Sequence, residues 1–222
     1  MAKKVEEQQK NLLVVADRLQ REFPDAKCAL HHETPEQLLF ATILSAQCTD
    51  ERVNKVTPKL FQRFPDSKSL AKAKVSEVEK IIQSVNFFRT KAKNLVACAE
   101  KIQTVFHGEL PRTIEEMTTL AGVGRKTANV VLGESFGLPL GIVVDTHVKR
   151  ISNLIGFTKK QDPLKIEADL MKIVPKEYWT KFSHWLILHG RKTCIARRPR
   201  CGECVIQSQC AYGRKAKHEA FL

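Results

Sequence analysis

Cys194, Cys201, Cys204 and Cys210 fall within seventeen residues at the spacing C-x6-C-x2-C-x5-C. Thiols clustered this way hold metal. Zinc bound by four thiolates is usually gripped by two short knuckles, and only Cys201-x-x-Cys204 is such a pair. A single compact loop of four cysteines suits an iron–sulfur cluster equally well, so spacing leaves both metals open. The segment IARRPR, Ile195 to Arg200, lies between the first two thiols. Tying that loop to a metal would hold its arginines out as a phosphate-facing surface. Cys28, Cys48 and Cys98 stand apart and read as small buried hydrophobes.

A second candidate is LAGVGRKTANVVL, Leu120 to Leu132. Glycines at 122 and 124 allow positive φ and a close approach of the backbone to another surface. The amides of the turn and of the helix that follows would then point outward and bind an anion, with Val123 pinning the turn to the core. The plainer alternative is a helix–helix corner. Arg125 and Lys126 sit where the helix dipole disfavours cations, so some use must justify them. The dipole and the Arg125 charge both favour a neutral Lys126 amine, with partial burial as a third contribution. A neutral lysine is a nucleophile able to form a Schiff base, whereas a protonated one would bind phosphate.

The stretch VVDTHVKR supplies a carboxylate, Asp145, whose simplest role is a helix N-cap. Geometry allows more. A helix from Gly124 to about Phe136 rises roughly 20 Å. Residues 137–144 can span up to about 26 Å, so the chain could fold back and bring Asp145 beside Lys126. A carboxylate there could move protons and stabilise a developing cation.

Several helices must position these groups. Leu12, Val15, Leu19 and Phe23 share one helical face. Thr34-Pro35-Glu36-Gln37 reads as a cap, a first-turn proline and a capping-box partner, opening a helix through Leu38, Leu39, Ile43 and Leu44. Val53, Val56, Leu60 and Phe64 mark the next helix, which Pro58 should interrupt. Ser76-x-x-Glu79 and Thr113-x-x-Glu116 resemble capping boxes. A helix from Thr113 to about Leu120 should precede the glycine turn. Ala92, Leu95, Ala99, Ile102 and Phe106 line a long helix, and others are expected from Asp145 to about Ile155, Asp162 to about Ile173, and Lys176 to about Arg191. Only LGIVV, Leu140 to Val144, looks like a strand. The expected fold is all-α, in about ten helices.

The chain has 222 residues and a net charge of +13. From Arg191 to Lys217 there are eight Lys or Arg against Glu203 alone, which places +7 of that excess in one segment. Such a stripe points to a polyanion, most simply nucleic acid. The N-terminal stretch lacks a signal peptide's apolar core, and no run is long enough to cross a bilayer, so a cytoplasmic protein with reduced thiols is expected.

Taken together, LSAQCTD (Leu44 to Asp50), LAGVGRKTANVVL, VDTHVKR, HWLILHGR (His184 to Arg191) and the cysteine loop resemble the endonuclease III family of DNA base-excision glycosylases. The likeness runs from about Thr34 to Cys210. It implies a [4Fe–4S] cluster on the four cysteines, and a helix-hairpin-helix at Gly122, Val123, Gly124, Arg125 and Thr127 that binds DNA. It implies two helical lobes with DNA between them: a six-helix barrel of about 29–139, and a cluster domain joining 1–28 to 140–222. Lys126 would be the Schiff-base nucleophile and Asp145 the essential carboxylate. Gln47 would enter the space left by an extruded nucleotide, Phe87 would wedge into the base stack, and Arg191, Arg197 and Arg198 would contact DNA. Asn86 departs from the family's usual glycine, and its tolerance of positive φ would preserve the turn. The implied activity is a bifunctional glycosylase and abasic-site lyase acting on oxidised pyrimidines in duplex DNA, as a monomer at the bacterial nucleoid. Two rivals are an adenine-specific mismatch glycosylase, which shares the fold but lacks the lysine, and a non-catalytic damage-sensing DNA binder.

Overall fold

The computed structural model describes residues 2–219, with side chains over 5–215. Among the described residues there are twelve α-helices and no strand. They are α1 (Ala2–Glu22), α2 (Pro35–Ser45), α3 (Asp50–Arg63), α4 (Ser67–Leu70), α5 (Val75–Ile82), α6 (Phe88–Thr104), α7 (Ile114–Met117), α8 (Arg125–Phe136), α9 (Thr146–Ile155), α10 (Pro163–Met171), α11 (Trp179–Lys192) and α12 (Ala211–Glu219). Short 3₁₀ turns cover Lys176–Tyr178, Cys201–Glu203 and Gln207–Gln209. The chain divides into two compact units, Cys28–Leu140 and a discontinuous one made of Met1–Lys27 with Gly141–Leu222.

In the contiguous unit α2 is the axis. Every residue from Gln37 to Leu44 is buried, which suits a helix that is apolar almost all round. Its one buried hydroxyl, on Thr42, donates to the Leu38 carbonyl at 2.7 Å. Around it pack Val53, Val56 and Leu60 of α3, Leu95, Ala99 and Ile102 of α6, and Val131 and Leu132 of α8. Thr34 caps α2 by accepting from the Gln37 amide at 3.2 Å. The returning arm differs from a capping box: the Gln37 side chain accepts from the Glu33 amide, one residue earlier.

Pro58 does not interrupt α3, which runs unbroken from Asp50 to Arg63. Pro58 is exposed while Val53, Val56 and Leu60 are buried around it. The ring therefore sits on the solvent side, where water can serve the carbonyl that its missing N–H leaves unpaired, and core packing on the opposite side holds the helix together. Ser76 is not a cap either. Helix α5 starts at Val75 behind Lys74, which makes no side-chain cap bond, and this places Val78 and Ile82 in the core.

The discontinuous unit buries Leu12, Val15 and Leu19 of α1 against α9, α10 and α11, through Val148, Ile151, Ile166, Leu170, Phe182, Trp185 and Leu186. Polar contacts fix α1 there. Asn11 donates to the Gln209 carbonyl at 3.1 Å, and Arg18 to the Val205 carbonyl and the Gln209 side-chain oxygen, both at 2.8 Å. Leu140 to Val144 forms no strand. It has no ladder partner; instead Ile142 is buried and the Val143 carbonyl accepts from the Ser183 hydroxyl at 2.9 Å. The helix expected from Lys176 opens as a 3₁₀ turn and becomes α11 at Trp179.

Candidate active site and cluster loop

The hairpin begins at Thr113, whose hydroxyl accepts from the Glu116 amide at 3.2 Å and donates to the Glu116 carboxylate at 2.8 Å. Helix α7 then lasts only one turn, ending at Met117 rather than near Leu120. The Val123 amide donates to the Leu120 carbonyl at 3.2 Å, and Val123 is buried in the core of its unit. Gly122 has φ +78, and a Cβ there would lie 3.1 Å from Asn94 and 3.2 Å from Ile43. It must be glycine on both counts.

Gly124 differs. Its φ is −97, so positive φ is not what it supplies, and a Cβ there would meet nothing within 4 Å. Gly124 is the N-cap of α8 and offers no capping side chain. The first turn of an α-helix leaves backbone amides without intrahelical acceptors, and with no side-chain cap from Gly124 the start of α8 is the kind of place an oxyanion binds. Lys126 is exposed, and Arg125 and Thr127 are half-buried.

In the discontinuous unit, Asp145 caps α9. One carboxylate oxygen accepts from the Val148 amide at 2.8 Å, and the other accepts from His147 Nδ1 at 2.9 Å. Its side chain is only 16 % exposed. His147 is a site residue that sequence reasoning missed, although its position two residues after a capping aspartate in DTH was a signal. Its ring lies against α11, where a Cβ on Gly190 would come within 2.6 Å of His147 Cδ2. The glycine of HWLILHGR therefore makes room for the imidazole that holds Asp145.

Gln47, just beyond the end of α2, and Phe87, the N-cap of α6, are exposed, and both have left-handed backbones, with φ 54 and 57. Asn86 is not the residue at positive φ. It uses its side chain instead, donating from Nδ2 to the Gln47 carbonyl at 2.8 Å.

In the cysteine loop, Cys194 follows α11, Cys201 opens a 3₁₀ turn, Cys204 closes it, and Cys210 precedes α12. All four are half-buried free thiols lining one cavity together with Ile151, Leu154, Ile155 and Ile206. Polar groups reach three of the sulfurs. Arg150 lies 3.5 Å from Cys194 Sγ, the Gly213 amide 3.4 Å from Cys210 Sγ, and His189 Nε2 3.6 Å from Cys204 Sγ. Burial pushes the Cys194 and Cys201 thiols up, and Cys204 up to about 11. A metal centre replaces the protons that burial otherwise retains. Among the described residues no three thiol, imidazole or carboxylate groups converge to hold a single ion. Four sulfurs lining one cavity, with N–H donors from Arg150 and Gly213 reaching two of them, fit a polynuclear iron–sulfur cluster better than zinc.

Arg197, Arg198 and Arg200 are exposed on the loop between the first two thiols, which closes through the Arg200 amide to the Thr193 carbonyl at 3.0 Å. Arg191 is exposed near the end of α11, and the Lys217 side chain lies outside the described residues. Cys98 is fully buried, its thiol pushed up to about 12 by burial, and Cys28 and Cys48 pack against the core of the contiguous unit. No helix among the described residues is long and apolar enough to cross a membrane.

Comparison with known proteins places this geometry. Residues 40–176 match the family of HhH-GPD superfamily base excision DNA repair proteins, and residues 194–210 match the iron-sulfur binding domain of endonuclease III. The chain is 55% identical over 192 residues to the endonuclease III of Synechocystis sp., covering 86% of this chain and 88% of that one. It is 40% identical to the endonuclease III of Escherichia coli over 203 residues, 91% of this chain and 96% of the relative. The fold superposes on a trapped endonuclease III–DNA covalent intermediate with a TM-score of 0.87 at 40% identity, covering 94% of this chain and 98% of that structure. Hairpin, capped aspartate and cysteine loop thus occur together on a shared fold over nearly the whole chain, and the protein belongs to the endonuclease III family, with a [4Fe–4S] cluster as its cofactor.

Proposed function

We propose that the protein is a base excision repair glycosylase and abasic-site lyase that removes oxidised pyrimidines from duplex DNA. The observation that carries this reading is an exposed lysine, Lys126, on the first turn of a helix whose uncapped amides follow an open glycine. The amides take a backbone phosphate, and the amine is carried by the second residue of the same helix. Likeness to a protein trapped covalently on DNA supports the same reading.

In the reaction, Lys126 Nζ attacks C1′ of an extruded nucleotide and the damaged base leaves with a proton. The ring-opened sugar is then held as an imine on Nζ. Loss of a C2′ proton expels the 3′ phosphate by β-elimination, and water releases the lysine. Asp145, capped and anchored by His147, stabilises positive charge on the sugar and assists proton transfer. Gly122, Val123, Gly124, Arg125 and Thr127 grip the phosphate backbone, Arg191, Arg197 and Arg198 extend that grip, and Gln47 and Phe87 enter the opened duplex. The four cysteines hold the cluster, which fixes the basic loop. The protein works as a monomer on the nucleoid.

Borohydride trapping tests this. Wild-type protein should cross-link to a duplex carrying thymine glycol, because reduction converts the imine to a stable amine. Lys126→Gln should give neither cross-link nor strand cleavage while retaining its iron and its DNA affinity. Asp145→Asn should slow base release by at least about 100-fold, within the usual range for a positioned acid–base group, and still trap on preformed abasic sites. Efficient trapping by Lys126→Gln would assign the chemistry to another amine.

A further inference from the structure

Two exposed residues of the contiguous unit sit in a backbone conformation that ordinary side chains avoid. Gln47 has φ 54 and Phe87 has φ 57. Phe87 is 64% exposed, so packing of its own ring does not account for its conformation. Left-handed residues other than glycine persist only where their surroundings over-determine them. Here the surroundings are shared between the two.

Lys91 forms the inner link. Its amide donates to the Phe87 carbonyl at 3.0 Å in the first turn of α6. Its ammonium group donates to the carbonyls of Leu44 at 2.8 Å and Ala46 at 2.6 Å, at the end of α2. The residue is 5% exposed, and burial lowers its pKa, yet the C-terminal end of a helix dipole favours a cation there. Asn86 forms the outer link, from Nδ2 to the Gln47 carbonyl at 2.8 Å. A glycine at position 86 would leave the first link intact and remove the second.

We propose that Asn86 is a positioning residue that ties the Gln47 turn to the Phe87 turn, so that both side chains enter the duplex as one fork of fixed spacing. This rests on the DNA-opening roles proposed above for Gln47 and Phe87. The Asn86 bond lies at the surface, where water competes with it in the free protein, so it contributes little to folding. A duplex closing over the two turns excludes that water and strengthens the bond, so its contribution falls on the step in which a stacked nucleotide is displaced.

The experiment compares wild type with Asn86→Gly and Asn86→Asp. The first deletes the donor; the second is nearly isosteric and places an oxygen against the Gln47 carbonyl. Two duplexes carry thymine glycol, one paired with adenine and one unpaired in a single-nucleotide bulge, each with 2-aminopurine as the neighbouring base. On the paired lesion both variants should lose roughly threefold to tenfold in single-turnover excision, with an equal slowing of the 2-aminopurine fluorescence rise, as one hydrogen bond implies. On the bulged lesion, where no pair must be opened, the loss should stay under about twofold, and melting temperatures should match wild type. If Asn86→Gly melts early, Asn86→Asp alone decides. Wild-type rates in the variants, or equal losses on both duplexes, would overturn the role of Asn86. If wild type itself neither excises thymine glycol nor unstacks the reporter, the glycosylase reading fails, and this inference with it.

Discussion

Gly122 lies at φ +78 with Asn94 and Ile43 within 3.2 Å of where a Cβ would stand, whereas Gly124 is extended and open. The two glycines of one turn should therefore respond differently to alanine. Gly122→Ala forces a side chain into the left-handed region and into its neighbours, and should cost about 1–3 kcal/mol of stability by urea unfolding. Gly124→Ala should cost less, under about 1 kcal/mol for the poorer N-cap, and on the proposed reading should weaken binding to damaged and undamaged duplex alike, because its methyl would stand where a phosphate approaches. Unaltered DNA affinity in Gly124→Ala would mean that the hairpin does not grip phosphate. The sequence marked both glycines but could not tell them apart, since φ at each depends on how Val123 seats in the core. At Asp145 the cap was legible from its place before a helix. The second carboxylate bond, to His147, depends on α9 packing so closely on α11 that only glycine fits at 190.

The cysteine loop is the element whose order depends most on something other than apolar packing. Its backbone is held by short 3₁₀ turns at Cys201–Glu203 and Gln207–Gln209, and its four thiols surround one cavity. Protein purified without oxygen should contain about four irons per chain and absorb broadly near ~400 nm. Cys201→Ser should lose most of that iron and colour. Hydrogen exchange should then accelerate across 194–213, while α2 and α6 keep their protection. Stoichiometric zinc in place of iron would refute the assignment. Helix starts were readable where a cap side chain governs them, as at Thr34, Thr113, Asp145 and Asp162. They were misread where burial governs them. Lys74 precedes α5 without a cap bond because the core needs Val78 and Ile82 on its side of the helix, and α3 continues past Pro58 because that residue faces water.

Across the whole chain the charge of +13 is uneven, with +7 between Arg191 and Lys217, partly on the loop that the cysteines tie down. If six or more of these cations neutralise phosphates, affinity for undamaged duplex should fall roughly 10³-fold between about 50 and 200 mM salt. A much shallower dependence, measured by fluorescence anisotropy, would show that the basic stripe is not the DNA-binding face. Charge, thiol spacing, capping residues and helical periodicity were all legible in the sequence, because each is decided by residues within one or two turns of each other. The joining of α1 to the last third of the chain came only through the family resemblance, not from local pattern. Its hydrogen bonds link Gln8 to Gly156 and Asn11 to Gln209, across 148 and 198 residues. The bond from Asn86 to Gln47, 39 residues apart, was not legible, and neither was the extended Leu140–Val144 segment that finds a serine hydroxyl instead of a neighbouring strand. Such pairings are selected by how buried faces fit once the helices are packed, and a sequence read turn by turn holds no measure of that fit.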